Sequence, residues 1–463
     1  MGRERGDGVV MSRQRRNFGR KTTRSVKVPS ALVEATIEKL SHDGRGIARV
    51  NGKTTFVEGS LAGEMVEFAY TQCHSRYDEA KVTRILTPSV NRVIPRCEHV
   101  STCGGCSLQH LNSEAQIQLK QSTLMEQLAH FGDVTPEHLL VPIEGGDFGY
   151  RRKARLAIKY SAKGNATVGF RAKSSSQVVA ISHCPVLVEG LGDIAAALER
   201  LINGLTGRKM ISHIDAVQGD SATALVFRHV KDLPNDDFQA LLSFCQERQL
   251  HLYLQPDKGN TTYRVWPEIG DERLSFFLAE YDLEIRFHPM DFIQVNGSNN
   301  ARMVQQAVDL LEVKETDRVL DLFCGVGNFT LPIARLAEKV VGVEGNDAMV
   351  AQAKENAFHN SLSNVEFHGT DLSNPFKRHK WAKQGFNKVL IDPPRAGALE
   401  IVKNIADLAP EKIVYVSCNP ATLARDAGEL NKLGYRMVKA GVVDMFPHTT
   451  HIESIVLFEQ SSK

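Results

Sequence analysis

Residues 318–322, 339–343, 364–367, 388–391 and 412–416 are short apolar runs rich in Val, Ile and Leu. Between them lie stretches with a helical period at 328–337, 347–359, 398–407 and 421–432. Apolar runs bounded by turn residues predict strands buried on both faces, and their alternation with helices predicts a doubly wound parallel sheet. Two more strand-like runs, near 435–443 and 452–458, predict an antiparallel pair ending that sheet. Residues 290–463 therefore read as one α/β domain.

The pattern ahead of it is different. From Val33 to Leu86, short alternating segments punctuated by glycine (Val33 to Leu40, Gly46 to Val50, Thr54 to Val57, Met65 to Tyr70, Asp78 to Ile85) predict a small β-barrel over 30–88. Between the two, residues 89–289 mix a capped helix at 112–131, strand-like runs at 150–158, 165–170 and 178–181, alternation over 211–228, a helix at 235–248 and strands near 251–266 and 283–288. That is a central α+β domain, and three domains suit 463 residues at roughly 150 residues each.

Charge sharpens the picture at one end. The net charge is only +2, but residues 1–27 hold nine Arg and Lys against Glu4 and Asp7, with few large apolar side chains. We read 1–29 as a disordered basic arm with non-specific affinity for phosphates. The run Tyr150-Arg151-Arg152-Lys153-Ala154-Arg155 sets four cations beside a tyrosine at the head of a strand, a composition suited to phosphate contact and base stacking. No window approaches the ~20 apolar residues of a membrane span and no signal peptide opens the chain, so a soluble cytoplasmic monomer is expected.

In such a compartment the eight cysteines stay reduced, and clustered ones point to metal or catalysis. Cys97, Cys103 and Cys106 form Cys-x5-Cys-x2-Cys with Gly104-Gly105 inside it, and Cys184, ahead of Pro185, is the candidate fourth ligand. Zinc and an iron–sulfur cluster both accept four thiolates, and the spacing leaves the two open.

Open α/β sheets keep their chemistry at the carboxyl ends of the strands. Asp321 to Thr330 joins the first strand to its helix through glycines, and Glu344 ends the next strand where an acid can accept both ribose hydroxyls. Without a Gly-x-Gly-x-x-Gly turn, S-adenosylmethionine fits better than a dinucleotide. Asp371 follows the third strand, within reach of an adenine amino group; Asp392-Pro393-Pro394-Arg395 ends the fourth in a rigid loop. The fifth, Lys412 to Val416, runs into Ser417-Cys418-Asn419-Pro420 and delivers a thiol, read as a nucleophile.

Two resemblances build on these residues. Ile37 to Arg49, Phe56-Val57 and Ala62-Gly63-Glu64 resemble the TRAM domain, an OB-like barrel, which implies RNA binding. Phe292-Ile293-Gln294-Val295-Asn296, Asp321 to Phe329, Asp392 to Arg395, Ser417 to Pro420 and His451-Ile452-Glu453-Ser454 resemble the uracil-C5 RNA methyltransferase family. With the barrel and the cysteines, the similarity is greatest to the members that act on 23S ribosomal RNA and carry a [4Fe–4S] cluster.

The resemblance implies a Rossmann-like class I methyltransferase domain and places the family's functions on numbered positions. Cluster ligands fall on Cys97, Cys103, Cys106 and Cys184; cofactor contacts on Gln294, Phe323, Asn328, Glu344, Asp371 and Asp392; the nucleophile on Cys418 and the general base on Glu453. It implies a flipped or single-stranded uridine as substrate. The alternatives are uracil-C5 methylation of transfer RNA, and a metal-stabilised RNA-binding protein without transferase activity.

Overall fold

The computed structural model describes residues 28–256, 261–372, 374, 376, 378–405 and 407–461. The basic arm expected at 1–29 thus falls almost wholly outside the described residues. The chain divides into two units, one ending at Ser89 and the other continuing from Val90.

In the first unit six strands pair in the order Val33–Thr36, Met65–Cys73, Tyr77–Thr87, Lys53–Glu58, Gly46–Val50, Lys39–Leu40. Alternation does the folding: Ala48, Val57, Val66, Phe68 and Ala80 point inward with Ile37, and their neighbours face out. The expected single segment from Val33 to Leu40 is two strands, because Ile37 and Glu38 turn to donate to Glu64 and Ile47 carbonyls. Gly46 has no substitute here, since a Cβ would lie 2.0 Å from Ser60 Oγ.

The second unit contains two large sheets. In the central one the order is Val178–Ala180, Ala166–Arg171, Lys153–Tyr160, Ile211–Gln218, Thr223–His229, His251–Pro256, Tyr263–Trp266. Helices Ile194–Gly204 and Asn235–Glu247 cover one face, burying Leu198, Ile202 and Leu241 against Leu156, Phe227 and Leu252. The first of these helices is absent from the sequence reading although Ile194, Leu198 and Ile202 recur at every fourth position.

The carboxyl-terminal sheet has eight strands in the order Val365–Gly369, Lys339–Glu344, Arg318–Leu322, Lys388–Ile391, Lys412–Ser417, Glu453–Gln460, Tyr435–Val443, His138–Leu139. The first five are parallel, and Glu453–Gln460 inserts antiparallel beside Lys412–Ser417. Strands sandwiched by helices on both faces must be apolar throughout, as Val319, Leu320, Val389, Leu390, Ile391, Ile413 and Val414 are. Helix Ser113–Gln127 and its continuation to Gly132 pack on helix Pro420–Lys432, so close that a Cβ on Gly132 would sit 2.4 Å from the Ala424 carbonyl.

Three expectations are corrected here. The helix expected over 328–337 is only Thr330–Ala334, because the preceding glycine turn runs on to Phe329. A helix at Gly297–Leu311, not foreseen, leads into the first parallel strand. The Tyr150 to Arg155 run is not a continuous RNA-facing patch: most of its members are structural, and Arg155 alone is exposed. Tyr150 is 8% exposed and donates to the Pro447 carbonyl, Arg152 is 6% exposed and donates to the Gln294 carbonyl, and Lys153 Nζ donates to the carbonyls of Pro289 and Asp291.

Candidate active site

The turn after strand Arg318–Leu322 is shaped by backbone conformations that few side chains tolerate. Phe323 has φ 65°, Gly325 φ 56° and Gly327 φ 97°, and a non-glycine residue held there is strain concentrated at one spot. Phe323 and Cys324 N–H donate to the Val343 carbonyl at 2.9 and 3.1 Å, tying the turn to the next strand. At that strand's end Glu344 accepts from Gly325 N–H at 3.2 Å and Asn346 N–H at 3.0 Å.

Beneath the turn Asp321 is fully buried. Thr330 Oγ1 donates to one of its oxygens at 2.5 Å, and the other has no partner among the described residues. Burial, with Asp392 and Glu344 nearby, pushes its carboxyl up to about 8. Asn328 is held by a reciprocal amide pair with buried Asn300, both contacts at 2.9 Å. Asn300 belongs to the unforeseen helix, whose cap is Asn296.

The nucleophile candidate is set by strand pairing. Cys418 follows strand Lys412–Ser417, and Asn419 caps the helix that begins at Pro420. Asn419 Nδ2 also donates to the Arg395 carbonyl at 3.0 Å, and Asp392 N–H donates to the Leu322 carbonyl at 3.2 Å, so the Asp392 to Arg395 loop is braced from both sides. Across the sheet Ser417 is the register partner of Ser454, which brings Glu453 alongside Cys418.

These residues enclose one cavity of about 460 Å³. Gln294, Phe323, Asn328, Glu344, Asp392, Cys418 and Glu453 all line it. Asp371 does not: it is exposed beyond strand Val365–Gly369, where it accepts from Asn374 Nδ2 at 2.7 Å. Among the lining residues not singled out as site residues from the sequence, two bear on the chemistry. Arg395 is the only cation on the wall among the described residues, and Phe292, 71% exposed, stands at its edge. Both lie inside motifs quoted above, which was the available signal.

Apolar walls make charge costly in this cavity. Burial, then the Glu453 and Asp392 carboxylates, raise the Cys418 thiol to about 11, while Arg395 pulls it down. Burial and Asp392 hold the Glu453 carboxyl well above the usual carboxylate range, again opposed by Arg395. Asp392 is raised to about 7 by burial.

A second cavity, of about 420 Å³, is lined by Cys97, Cys103, Cys106 and Cys184 together. Gly104 allows this, since its N–H donates to the Arg171 carbonyl at 2.9 Å and a Cβ would lie 3.0 Å from that oxygen. Arg395 lines this cavity as well as the first, beside His451, Phe446 and Arg151. Among the described residues no group of three or more His, Cys, Asp or Glu is gathered tightly enough to hold a single metal ion.

A Rossmann-like parallel sheet with a glycine turn after its first strand, and with acids and a thiol at the carboxyl ends of its strands, has the architecture of a class I methyltransferase. The tRNA (uracil-5-)-methyltransferase family model matches residues 112–461 and the TRAM domain model residues 31–83; the chain belongs to that methyltransferase family. It is 51% identical to the 23S rRNA (uracil(1939)-C(5))-methyltransferase RlmD of Alcanivorax borkumensis, over 95% of this chain and 99% of that one. To the protein of the same name in Hahella chejuensis it is 47% identical, over 95% and 99%. Among solved structures it resembles the tRNA (uracil-54, C5)-methyltransferase of Pyrococcus abyssi in complex with S-adenosyl-L-homocysteine. That likeness has a TM-score of 0.69 at 25% identity and covers 92% of this chain and 100% of the other.

Proposed function

We propose that the chain transfers a methyl group from S-adenosylmethionine to carbon 5 of a uridine in 23S ribosomal RNA, the position numbered 1939 in the names of its relatives. The observation that carries this reading is the single cavity holding Cys418, Glu453 and the expected cofactor contacts Gln294, Phe323, Asn328, Glu344 and Asp392. Asp371, at the neighbouring strand end, takes the adenine amino group.

The chemistry needs this pairing. Carbon 5 of uracil is too weak a nucleophile to take a methyl group unaided. Addition of the Cys418 thiolate to carbon 6 converts the ring to an enolate, and carbon 5 then attacks the sulfonium methyl, releasing S-adenosylhomocysteine. Glu453 removes the proton left on carbon 5, and the electron pair restores the 5,6 double bond as the thiolate departs. A carboxyl held above its usual range is the stronger base for that step. Arg395, facing the same cavity, offsets the negative charge on sulfur.

The same reading assigns a [4Fe–4S] cluster to Cys97, Cys103, Cys106 and Cys184. Four thiols line one cavity, and the resemblance to the cluster-bearing members of the family is what favours a cluster over zinc. Bound, the cluster would cross-link the 97–106 loop to the segment holding Cys184.

Two assays test the proposal. Labelled S-adenosylmethionine should mark 23S fragments and not transfer RNA; label on transfer RNA alone would move the protein to the other substrate. Anaerobically purified protein should contain iron and sulfide in equal amounts, and one zinc with neither would remove the cluster.

A further inference from the structure

Successive residues of strand Lys153–Tyr160 face opposite sides of the central sheet. Ala154 and Leu156 are buried beneath the two helices, whereas Arg155 and Lys159 are exposed on the other face. Register carries the arrangement sideways. Arg155 lies beside Asp215, Ala157 beside His213, and His213 beside Arg228, while Arg171 ends the adjoining strand Ala166–Arg171. Val217, Ala224, Val226 and Tyr253 of this same face are buried with the hairpin Leu274–Leu278 and Leu283–Phe287, so it is only partly covered.

The uncovered part is cationic. Asp215 is the only acid in the four strands Lys153–Tyr160, Ala166–Arg171, Ile211–Gln218 and Thr223–His229, and Arg155 Nε already donates to it at 2.8 Å. Burial, then Arg155, lowers the His213 imidazole, with Arg228 adding to the effect. Neither Lys159 nor Arg171 has a side-chain ion-pair or hydrogen-bond partner among the described residues. Arg155 also lines the cysteine cavity together with Arg395, which reaches the catalytic cavity.

We propose that this half-face, built on Arg155, Lys159, Arg171 and Arg228, docks the sugar-phosphate backbone of the RNA strand flanking the methylated uridine. The inference rests on the reading of the chain as an RNA methyltransferase. Charge complementarity and continuity with the catalytic cavity select RNA as the occupant. Apart from the largely covered His213 imidazole, the uncovered strand positions carry cations and no aromatic ring, so the face holds phosphates and positions the strand without reading its bases.

The test uses the full chain with Lys159→Gln and Arg171→Gln combined. Affinity for a 23S fragment is measured across a potassium chloride series. Each cation contributes about 0.7 to the slope of log K against log salt on single-stranded RNA, so the double variant should be shallower by about 1.4. The KM for RNA should rise about tenfold while kcat at saturating RNA and affinity for S-adenosylhomocysteine stay unchanged. Lys354→Gln, on the exposed side of helix Asp347–His359, is the charge control. An unchanged slope in the double variant, or an equal shift per charge in the control, overturns the proposal. Wild-type protein that binds RNA with the expected slope yet methylates none would count against the enzymatic reading, not against this surface.

Discussion

Ser454 Oγ donates to the Ser417 carbonyl at 3.1 Å, and the two residues are register partners across the antiparallel pair of strands Lys412–Ser417 and Glu453–Gln460. Because each residue is the last or second at its strand end, this pairing sets the next residue after one, Cys418, against the residue before the other, Glu453. A one-residue slip would turn Glu453 to the opposite face of the sheet. The relation between thiol and acid is therefore held by backbone pairing, which is far stiffer than a loop.

If Glu453 removes the carbon 5 proton, Glu453→Gln should halt the reaction after methyl transfer. Turnover should fall by about 10² to 10⁴. The variant should also accumulate a methylated RNA–protein adduct with ordinary uridine, visible as a shifted band on a denaturing gel. Equal loss of turnover with no adduct would place Glu453 before the methyl transfer.

Reactivity of Cys418 should follow its thiolate. With the thiol near 11 in the empty site, its alkylation by iodoacetamide should rise about tenfold per pH unit from 7 to 9, since each unit below the pKa lowers the thiolate fraction tenfold. A sulfonium in the cavity favours the charged sulfur. Adding S-adenosylmethionine should accelerate alkylation at fixed pH more than S-adenosylhomocysteine, which lacks that charge. A rate flat over this range would mean that the thiol is already ionised.

Asn300 acts through Asn328, whose amide it holds at 2.9 Å in both directions. Asn300→Ala frees that side chain and leaves the half-buried Asn328 amide unpaired. We expect affinity for S-adenosylhomocysteine to drop about tenfold, in line with roughly 1 to 3 kcal/mol for such a loss. The pH dependence of Cys418 alkylation in the cofactor-free protein should not move; if it does, Asn300 shapes the whole cavity.

What could be read from the sequence follows from burial. Strands such as Lys388–Ile391 are apolar on both faces and visible at once. Helix Gly297–Leu311 is hidden because Asn299 and Asn300, polar residues, occupy part of its buried face. The Tyr150 to Arg155 run misled because composition cannot say which positions neighbouring segments cover: Lys153 and Arg155 share a face of their strand, yet Lys153 donates to the Pro289 and Asp291 carbonyls while Arg155 stays exposed. Cys418 was legible as a thiol ending a strand, but its pairing with Glu453 needed either a family resemblance or the register of Ser417 with Ser454. The four clustered thiols were legible as a set, and the structure gathers them round one cavity.

The most direct test of the account is trapping on a 23S fragment in which the target uridine is 5-fluorouridine, incubated with S-adenosylmethionine and digested for mass spectrometry. Fluorine cannot leave as a cation, so the adduct should persist. The account predicts one methylated fluorouridine joined to the peptide containing Cys418, and none in Cys418→Ala. An adduct on any other residue, or one that survives in Cys418→Ala, would contradict it.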